Sequence, residues 1–304
     1  MTHKPITVVT HNGGFHADDI FGTAVLLLAF KREGIPRDAI HIVRTRDVSV
    51  IEKGDYVLDV GGEYDPKRKR FDHHQVGGAG KRENGISYAS FGLLWKEYGT
   101  ILCGSEEVAN RIDEKLVAPT DADDNGDDIF TSVYSGVAPY TISSYVASKV
   151  PTWKEVEDSE DDVFLELLSF AESLIEREIS VGKDRSEGNR IAEDAYTSAS
   201  DKRLLVLDQF IPWKRVAEKY KDILFVVLPD RNPLNGWHVY TVRKNDTGFE
   251  NRKNLPEAWG GLRDTEMAEV TGVSDAFFCH NKLFIAATKT KEGALALAQL
   301  ALDA

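Results

Sequence analysis

The stretch VVTHNGGFHADD, residues 8–19, decides the fold. It starts in the β-branched run 6–9 and ends in two histidines and two aspartates. A short apolar run bounded by Pro5 and by Asn12-Gly13-Gly14 is typical of a buried strand that ends in a tight turn. The sequence that follows, IFGTAVLLLAFKREG (20–34), is apolar nearly all round and predicts a buried helix that starts near His16.

A strand, a glycine turn and a helix bring four polar residues to the crevice where open α/β sheets usually bind ligands. They are His11, His16, Asp18 and Asp19. Each alone has an ordinary explanation, because such residues often shape a turn or cap a helix. Together they form the imidazole and carboxylate set that divalent Mn, Zn and Fe bind. We therefore predict half of a metal site in this stretch.

Two later stretches supply similar side chains. Asp59 ends an apolar strand just before Gly61-Gly62, and FDHH places Asp72, His73 and His74 in a row. The basic residues 67–70 in front of them fit a solvated hairpin face better than a nucleic-acid cluster. Two adjacent histidines in a loop can reach one ligand, and a preceding aspartate can orient one ring. We predict that these residues form the other half of the site.

The stretch PTDADDNGDD (119–128) adds more carboxylates. It matches the opening of an EF-hand calcium loop, but the twelfth position, which needs a bidentate glutamate, is Ser132. Pro119 also predicts an interruption of the helix that should enter such a loop. We expect a loop that carries Asp121 or Asp124 to the same crevice, and the spacing leaves both open.

Composition excludes several classes of protein. The 304 residues are 42% hydrophobic and 29% charged, which is enough for two domains. The net charge of −13 argues against a protein that coats long duplex nucleic acid. Two cysteines give no disulfide framework, and the longest apolar stretch, AVLLLAF, is too short to span a bilayer. These features predict a cytoplasmic protein without a membrane segment.

The predicted fold class is α/β with two domains. The first, over residues 1–195, has a parallel sheet and includes a long helical linker that starts near residue 155. The second, over residues 196–304, is smaller and of mixed α/β type. Its predicted strands cover 203–208, 223–228 and 237–243.

The order and spacing of HNGGFHADD, VLDVGG, FDHH and TDADDNG resemble the four motifs of the DHH phosphoesterase superfamily, most closely those of its Myg family. The likeness spans nearly the whole chain and implies a parallel-sheet DHH domain with two divalent metal ions. By this resemblance His11 and His16 hold one ion, and Asp18 and His73 hold the other. The resemblance further implies that Asp59 bridges the ions and that Asp121 or Asp124 completes the second. It also assigns catalytic roles to Asp59, Asp72 and His74, with His74 as a proton donor or clamp for the phosphate.

A substrate-binding region is implied in the second domain. WGGLRD (259–264) resembles the glycine motif of the superfamily's C-terminal substrate-binding domain. Adjacent glycines let backbone N–H groups approach an anion, and an arginine can grip it in two places. The residues expected to bind substrate are Gly260, Gly261, Arg263, His280 and Arg252.

The predicted function is that of a metal-dependent phosphohydrolase. We expect a phosphodiesterase or 3′-to-5′ exonuclease that acts on short single-stranded nucleic acid or nucleotides through a hydroxide activated by two metal ions. Manganese is the expected metal, with magnesium, zinc and iron as alternatives. A small-molecule phosphatase or pyrophosphatase with the same metal core stays open, as does a metal-stabilised binding protein without turnover. A second copy of the chain could be a further partner, as a homodimer.

Overall fold

The computed structural model describes residues 4–155, 160–245, 248 and 250–304. They form two compact units, which divide between Lys183 and Asp184. Both units combine helices with a five-stranded sheet, so the predicted α/β class is confirmed. The domains predicted over 1–195 and 196–304 stay a prediction. Among the described residues, no helix combines the length and the apolar character needed to cross a membrane.

The first unit contains one sheet and a set of helices. Its strands are β1 (Ile6–Thr10), β2 (Ile40–Arg44), β3 (Tyr56–Leu58), β4 (Tyr64–Asp65) and β5 (Arg70–Phe71). Its helices are α1 (Ala17–Arg32), α2 (Val48–Ile51), α3 (Ser90–Cys103), α4 (Glu106–Ile112), α5 (Ala118–Asp124), α6 (Ile142–Ala147) and α7 (Glu160–Ser198), the last of which continues into the second unit.

The sheet of the first unit has the strand order β2-β1-β3-β5-β4. The first four strands are parallel, and only the edge strand β4 runs antiparallel to its neighbour. The predicted parallel arrangement therefore holds for the strands that precede the candidate site residues. Because β1, β3 and β5 run in one direction, the residues that follow them lie at one edge of the sheet.

The burial of helix α1 explains why its sequence is apolar on nearly all sides. Every residue from Ala17 to Phe30 is buried, and the helix packs mainly on α3, where the rings of Phe21 and Phe91 lie 5.4 Å apart. A helix buried on all sides needs no polar face. Its amino end, with the acidic residues Asp18 and Asp19, is thereby fixed beside the sheet edge.

The sequence predicts a loop from Pro119 onward, but this prediction is wrong for residues 119–124, which are helical. The chain is helical from Glu106, through a π-helical turn at Asp113–Val117, to the end of α5. Pro119 lies in the first turn of α5, where proline is tolerated, and the π turn in front of it changes the hydrogen-bond register. The carboxylates of this stretch therefore lie on a helix.

The second unit combines helices with a five-stranded sheet of mixed strand direction, in agreement with its predicted α/β type. Its strands are β6 (Leu204–Val206), β7 (Phe225–Pro229), β8 (Trp237–Thr241), β9 (Ala276–Cys279) and β10 (Ile285–Thr288), in the order β6-β7-β8-β10-β9. Its helices after α7 are α8 (Lys214–Lys219), α9 (Asp264–Thr271) and α10 (Lys291–Asp303).

Alternate residues of β7 pack on opposite faces of this sheet. Val227 belongs to the apolar cluster that contains Leu297 of α10, whereas Val226 and Leu228 belong to the cluster that contains Val216 of α8. One face is thus covered by the 13-residue α10, and the other by the six-residue α8 together with the end of α7, which contributes Ala192.

Candidate metal centre

The candidate residues of the first unit follow directly from strand ends. His11 comes after β1, Asp59 after β3, and Asp72-His73-His74 after β5. The structure brings these residues together at one edge of the sheet, where each lies within hydrogen-bonding or ion-pair range of another. Parallel strand direction, which the sequence predicts, is the reason for this convergence.

Asp59 lies between two histidine rings. Its Oδ2 is 3.1 Å from His11 Nε2, and its Oδ1 is 3.2 Å from His73 Nε2. The Ser90 hydroxyl donates to the same Oδ1 at 3.3 Å. The backbone of Asp59 is in the left-handed region, with φ of 53°, which aspartate and asparagine tolerate better than other residues with a Cβ. This conformation holds the carboxylate between the two rings.

The amino end of α1 contributes three more groups. His16 is the N-cap, and its backbone N–H donates to Asp19 Oδ1 at 3.0 Å. The other carboxylate oxygen of Asp19 lies 3.1 Å from His11 Nε2. Asp18 is fully buried, and its Oδ2 lies 3.9 Å from His73 Nε2. The sequence places Asp19 in the predicted half-site, but the family resemblance assigns it to neither ion.

Asp124 and Asp121, which the sequence leaves as alternatives, have different surroundings. Asp124 Oδ2 lies 3.2 Å from His73 Nε2, and its Oδ1 lies 3.9 Å from His16 Nδ1. Asp121 instead accepts from the Gly92 amide at 3.0 Å and lies 2.8 Å from Arg82 Nη1. The structure thus brings Asp124 to the cluster and pairs Asp121 with an arginine.

Arg82 is a residue that sequence reasoning missed. Its guanidinium donates to both oxygens of Asp113 at 2.8 Å, and it is buried against the ring of Tyr88. It therefore ties the loop before α3 to the π turn and to α5. Nothing in the stretch KRENG distinguishes Arg82 from the surface charges around it, because its partners lie about 30 residues further along the chain.

Asp72 organises the loop that holds the two adjacent histidines. Its Oδ1 accepts from the amides of His73 and His74 and from His74 Nδ1, the last at 2.7 Å, and its Oδ2 accepts from the Gly62 amide. Burial opposes ionisation of Asp72, but these hydrogen bonds outweigh it and lower its pKa. The same contact with Asp72 raises the pKa of His74, whose side chain is 62% exposed.

Several buried polar atoms of the cluster lie close to one another but make no hydrogen bond of acceptable geometry with any residue that the structure describes. They are His11 Nε2, His73 Nε2, both carboxylate oxygens of Asp18, and Asp19 Oδ2. A buried polar group without a hydrogen bond costs about 1–3 kcal/mol, so a set of them facing one another indicates a site for a ligand. Three groups in this region have ligand atoms within 4.8 Å of one another: His11, His16 and Asp59; His16, Asp18 and Asp124; Asp59, Asp72, His73 and His74. The residues fit a metal centre.

Electrostatics favour a cation in the same place. Burial raises the pKa of Asp18 well above its usual value, and repulsion by Asp59 and Asp124 adds to the shift. Burial would lower the pKa values of His11 and His73, but the neighbouring carboxylates outweigh it and raise both to about 10. Without a metal, the histidines must hold protons to balance the acids. Divalent cations would supply that positive charge and release the protons.

The residues of the second unit that were expected to bind substrate make contacts within that unit. The Gly260 and Gly261 amides donate to the carbonyls of Glu257 and Cys279, so neither N–H is free for an anion. The Arg263 side chain lies over the ring of Phe278, with 5.0 Å from its Cζ to the ring centroid. Arg263 is exposed at the start of α9, where it can still meet a ligand.

His280 and Arg252 both line one groove of the second unit. The Arg252 guanidinium donates to the backbone carbonyls of Tyr220, Ile223 and Ala217, so it holds the end of α8 and the segment after it in place. His280 accepts from the Lys282 amide at Nδ1, and its ring packs against Phe284. Arg252 is thus engaged within the protein, while His280 keeps one ring nitrogen for other partners.

The fold and the cluster together define an α/β protein with a candidate metal centre at the carboxyl edge of a mostly parallel sheet. Residues 7–302 match the model of the MYG1_exonuc family, described as "Uncharacterised protein family (UPF0160)", and the chain belongs to this family. The predicted membership of the Myg family is confirmed.

The relatives in this family align over almost their whole length. The chain is 31% identical to the human MYG1 exonuclease, over 98% of this chain and 86% of that protein. It is 32% identical to a MYG1 protein of Dictyostelium discoideum, over 96% and 95%, and 29% identical to one of Schizosaccharomyces pombe, over 98% of each chain. No solved structure gives a significant match.

Proposed function

We propose that this protein is a metal-dependent phosphohydrolase, a phosphodiesterase or 3′-to-5′ exonuclease that acts on short single-stranded nucleic acid or nucleotides. The observation that supports it most is the buried cluster of aspartates and histidines, several of whose polar atoms make no well-aligned hydrogen bond within the part of the chain that the structure describes. Phosphoryl transfer needs positioning and charge neutralisation more than covalent chemistry, and this cluster can supply both once it holds cations. Relatives named exonuclease support a nucleic-acid substrate.

The ligand set fits two divalent cations, with manganese as the expected metal because imidazole and carboxylate are combined. His11, His16 and Asp59 would hold one ion, and Asp18, His73 and Asp124 the other. One carboxylate oxygen of Asp59 lies beside His11 and the other beside His73, so Asp59 would be a ligand to both ions. When bound, the cations would activate a water molecule and neutralise charge on the phosphoryl oxygens.

His74 is the residue of this chain best placed to hand a proton to the substrate. Asp72 accepts from its Nδ1, so the ring orientation is fixed and Nε2 is the remaining nitrogen. The raised pKa keeps the ring protonated to higher pH than a free histidine, and the exposed side chain is accessible. A positioned acid of this kind contributes about 100- to 10,000-fold to a rate.

We also infer a reducing compartment such as the cytoplasm. Cys103 and Cys279 are both free and buried, one in each compact unit. A protein that keeps unpaired thiols in its cores fits a compartment where thiols stay reduced.

The test is hydrolysis by the purified protein, supplied in turn with Mn²⁺, Mg²⁺, Zn²⁺ and Fe²⁺. Substrates are end-labelled RNA and DNA oligonucleotides, bis-p-nitrophenyl phosphate and pyrophosphate. We expect Mn²⁺-dependent release of mononucleotides, and loss of more than about 100-fold in rate for Asp59→Asn, since even residues that only orient metal ligands are worth 10- to 100-fold. Asparagine tolerates the left-handed backbone at this position, so the fold should persist.

The matched control is Asp123→Asn, because Asp123 is exposed on α5 beside Asp124. It should hydrolyse at the rate of the parent. Metal binding without turnover of any substrate would contradict the proposal and support a metal-stabilised binding protein. Cleavage of pyrophosphate alone would place the protein among small-molecule phosphatases.

A further inference from the structure

The second unit contains a groove on the face of its sheet that α8 only partly covers. Its volume is about 1250 Å³, and its lining comes from α8, from the end of β8 and from the β9–β10 turn. Pockets for single small molecules typically measure about 300–1,000 Å³. The groove is therefore large enough for more than one small unit of a ligand.

The charges that line the groove are almost all of one sign. Among the lining residues that the structure describes, the basic ones are Lys214, Lys221, Arg243, Lys244, Arg252 and Lys282, and the acidic one is Glu218. The contrast with the rest of the chain is strong, since the protein as a whole has a net charge of −13. A basic groove on an acidic protein indicates an anionic ligand.

Three of these lysines are available to a ligand. The side chains of Lys214, Lys221 and Lys282 are exposed and make no hydrogen bond or ion pair with any other residue that the structure describes. Lys244, by contrast, pairs with Glu250. An ammonium group that stays in solvent without a partner can bind phosphate without first breaking an internal contact.

Exposed aromatic rings lie in the same groove. Phe210 is 54% exposed and Phe284 is 39% exposed, and Trp213 and Tyr240 line the wall between α8 and the sheet. Large apolar side chains left in solvent next to lysines are typical of surfaces on which nucleic-acid bases stack. A neutral aliphatic or sugar ligand would not require both lysines and exposed aromatic rings.

His280 adds a directed donor. Because its Nδ1 accepts from the Lys282 amide, the neutral ring carries its proton on Nε2. The ring packs at 4.4 Å from that of Phe284, between centroids. The two rings are tilted by 45° to one another, so they do not form one flat surface. The Phe284 ring can stack on a base, and the imidazole N–H can donate to the edge of a base or to a phosphate.

We propose that this groove binds a single-stranded oligonucleotide, with phosphates on Lys214, Lys221 and Lys282 and bases on Phe210 and Phe284. The proposal rests on the proposed function and deepens it, because it assigns residues of the second unit that hold the phosphates and bases of the substrate. A duplex is excluded as the preferred ligand, since its bases are stacked on each other and cannot lie on the phenylalanine rings.

The experiment is fluorescence anisotropy with 5′-labelled single-stranded RNA and DNA of one to twelve nucleotides, in EDTA so that nothing is hydrolysed. Affinity should rise with length over the first few nucleotides. The double variant Lys214→Ala/Lys282→Ala should lower the slope of log Kd against log salt by about 1.4, since each phosphate contact on a single strand contributes about 0.7. Phe284→Ala should weaken binding about fivefold or more, the loss expected for one stacked base.

Matched controls come from the same unit. Arg231→Ala/Lys289→Ala removes two exposed charges outside the groove, and Leu234→Ala removes a large apolar side chain that is 92% exposed. Both should bind like the parent. Circular dichroism of every variant should match that of the parent.

The proposal is overturned if the groove variants bind as the parent does, if the parent binds no oligonucleotide, or if a duplex of equal length binds equally well. A failure of the proposed function looks different. In that case the groove variants still weaken binding in EDTA, but the parent hydrolyses no substrate with any metal.

Discussion

Asp121 and Asp124 show how three residues of separation change the role of a carboxylate. Asp121 is fully buried with Arg82 and the Gly92 amide around it, so its charge is balanced within the protein. Asp124 is partly exposed and points its oxygens toward His73 and His16. The first arrangement resembles a structural clamp and the second a metal ligand. We infer that Asp121 positions α5 and that Asp124 binds the ion.

Substitution of the two aspartates should separate these roles. Asp124→Asn should weaken Mn²⁺ binding by more than about 100-fold and leave the metal-free stability nearly unchanged. Asp121→Asn should retain the metal but lower the free energy of unfolding by about 3 kcal/mol, because it leaves the buried Arg82 with one charged partner fewer. Isothermal titration with Mn²⁺ and urea unfolding in EDTA measure the two effects. The reverse pattern would make Asp121 the ligand.

His238 gives the second unit a pH dependence of its own. The residue lies in β8, where burial lowers its pKa below the usual 6.5 even though Asp230, 3.5 Å from Nδ1, opposes the shift. A lowered pKa means that the unfolded chain binds the proton more readily than the folded protein does. Stability from this residue is thus present above pH 6.5 and is lost as the pH falls toward the folded-state pKa.

Replacement of His238 should remove this loss. We expect the free energy of unfolding of His238→Gln, minus that of the parent, to be higher at pH 5.5 than at pH 7.5. Urea unfolding of both proteins measures it. Phosphate and acetate buffers of equal ionic strength keep the screening constant. An equal difference between variant and parent at the two pH values would show that His238 does not titrate in this range.

At the scale of elements, the sequence predicts the strands better than the helix ends. Regular alternation and β-branched runs mark β1, β7 and β8 to within a few residues, because a buried strand needs such side chains. The sequence does not predict that the helix continues past Pro119 to Asp124, since proline normally breaks a helix and the π turn that accommodates it has no sequence signal. The convergence of the strand ends could be predicted. The Arg82 clamp could not, because its contacts depend on tertiary packing.

A substitution at Gly92 in α3 can test whether the packing of Arg82 and Asp121 against this helix positions α5. An added Cβ would lie 1.8 Å from Asp121 Oδ2 and 2.8 Å from Asp121 Cγ, so Asp121 would have to move. A glycine-to-alanine change in an open helix stabilises a protein by up to about 1 kcal/mol. Gly92→Ala should instead destabilise it by about 1–3 kcal/mol, as overpacking does, and should also weaken Mn²⁺ binding through displacement of α5. Urea unfolding and titration calorimetry measure both, and a stabilised variant with parental affinity would contradict this role.

At the scale of the whole molecule, charge is distributed unevenly between the two units. Residues 1–183 contain 20 Lys+Arg and 32 Asp+Glu, whereas residues 184–304 contain 17 and 18. The acidic unit holds the candidate metal centre, and the nearly neutral one holds the basic groove. An acidic surface repels a long polyanion, so nucleic acid should bind through the second unit and only a short stretch should approach the first.

Hydrogen exchange can test whether the two ligands act on different units. Mn²⁺ alone should slow exchange at 9–20, 57–75 and 118–126, because a bound cation stabilises only the folded form of its own site, by about 2.7 kcal/mol at 100 times Kd. A single-stranded oligonucleotide in EDTA should slow exchange at 210–222, 240–244 and 278–286 and leave the first set unchanged. Mass spectrometry of peptic peptides measures both sets. The assignment of the cation to the first unit would be contradicted if Mn²⁺ slowed exchange over 204–288. The assignment of nucleic acid to the second unit would be contradicted if the oligonucleotide slowed exchange only over 9–75.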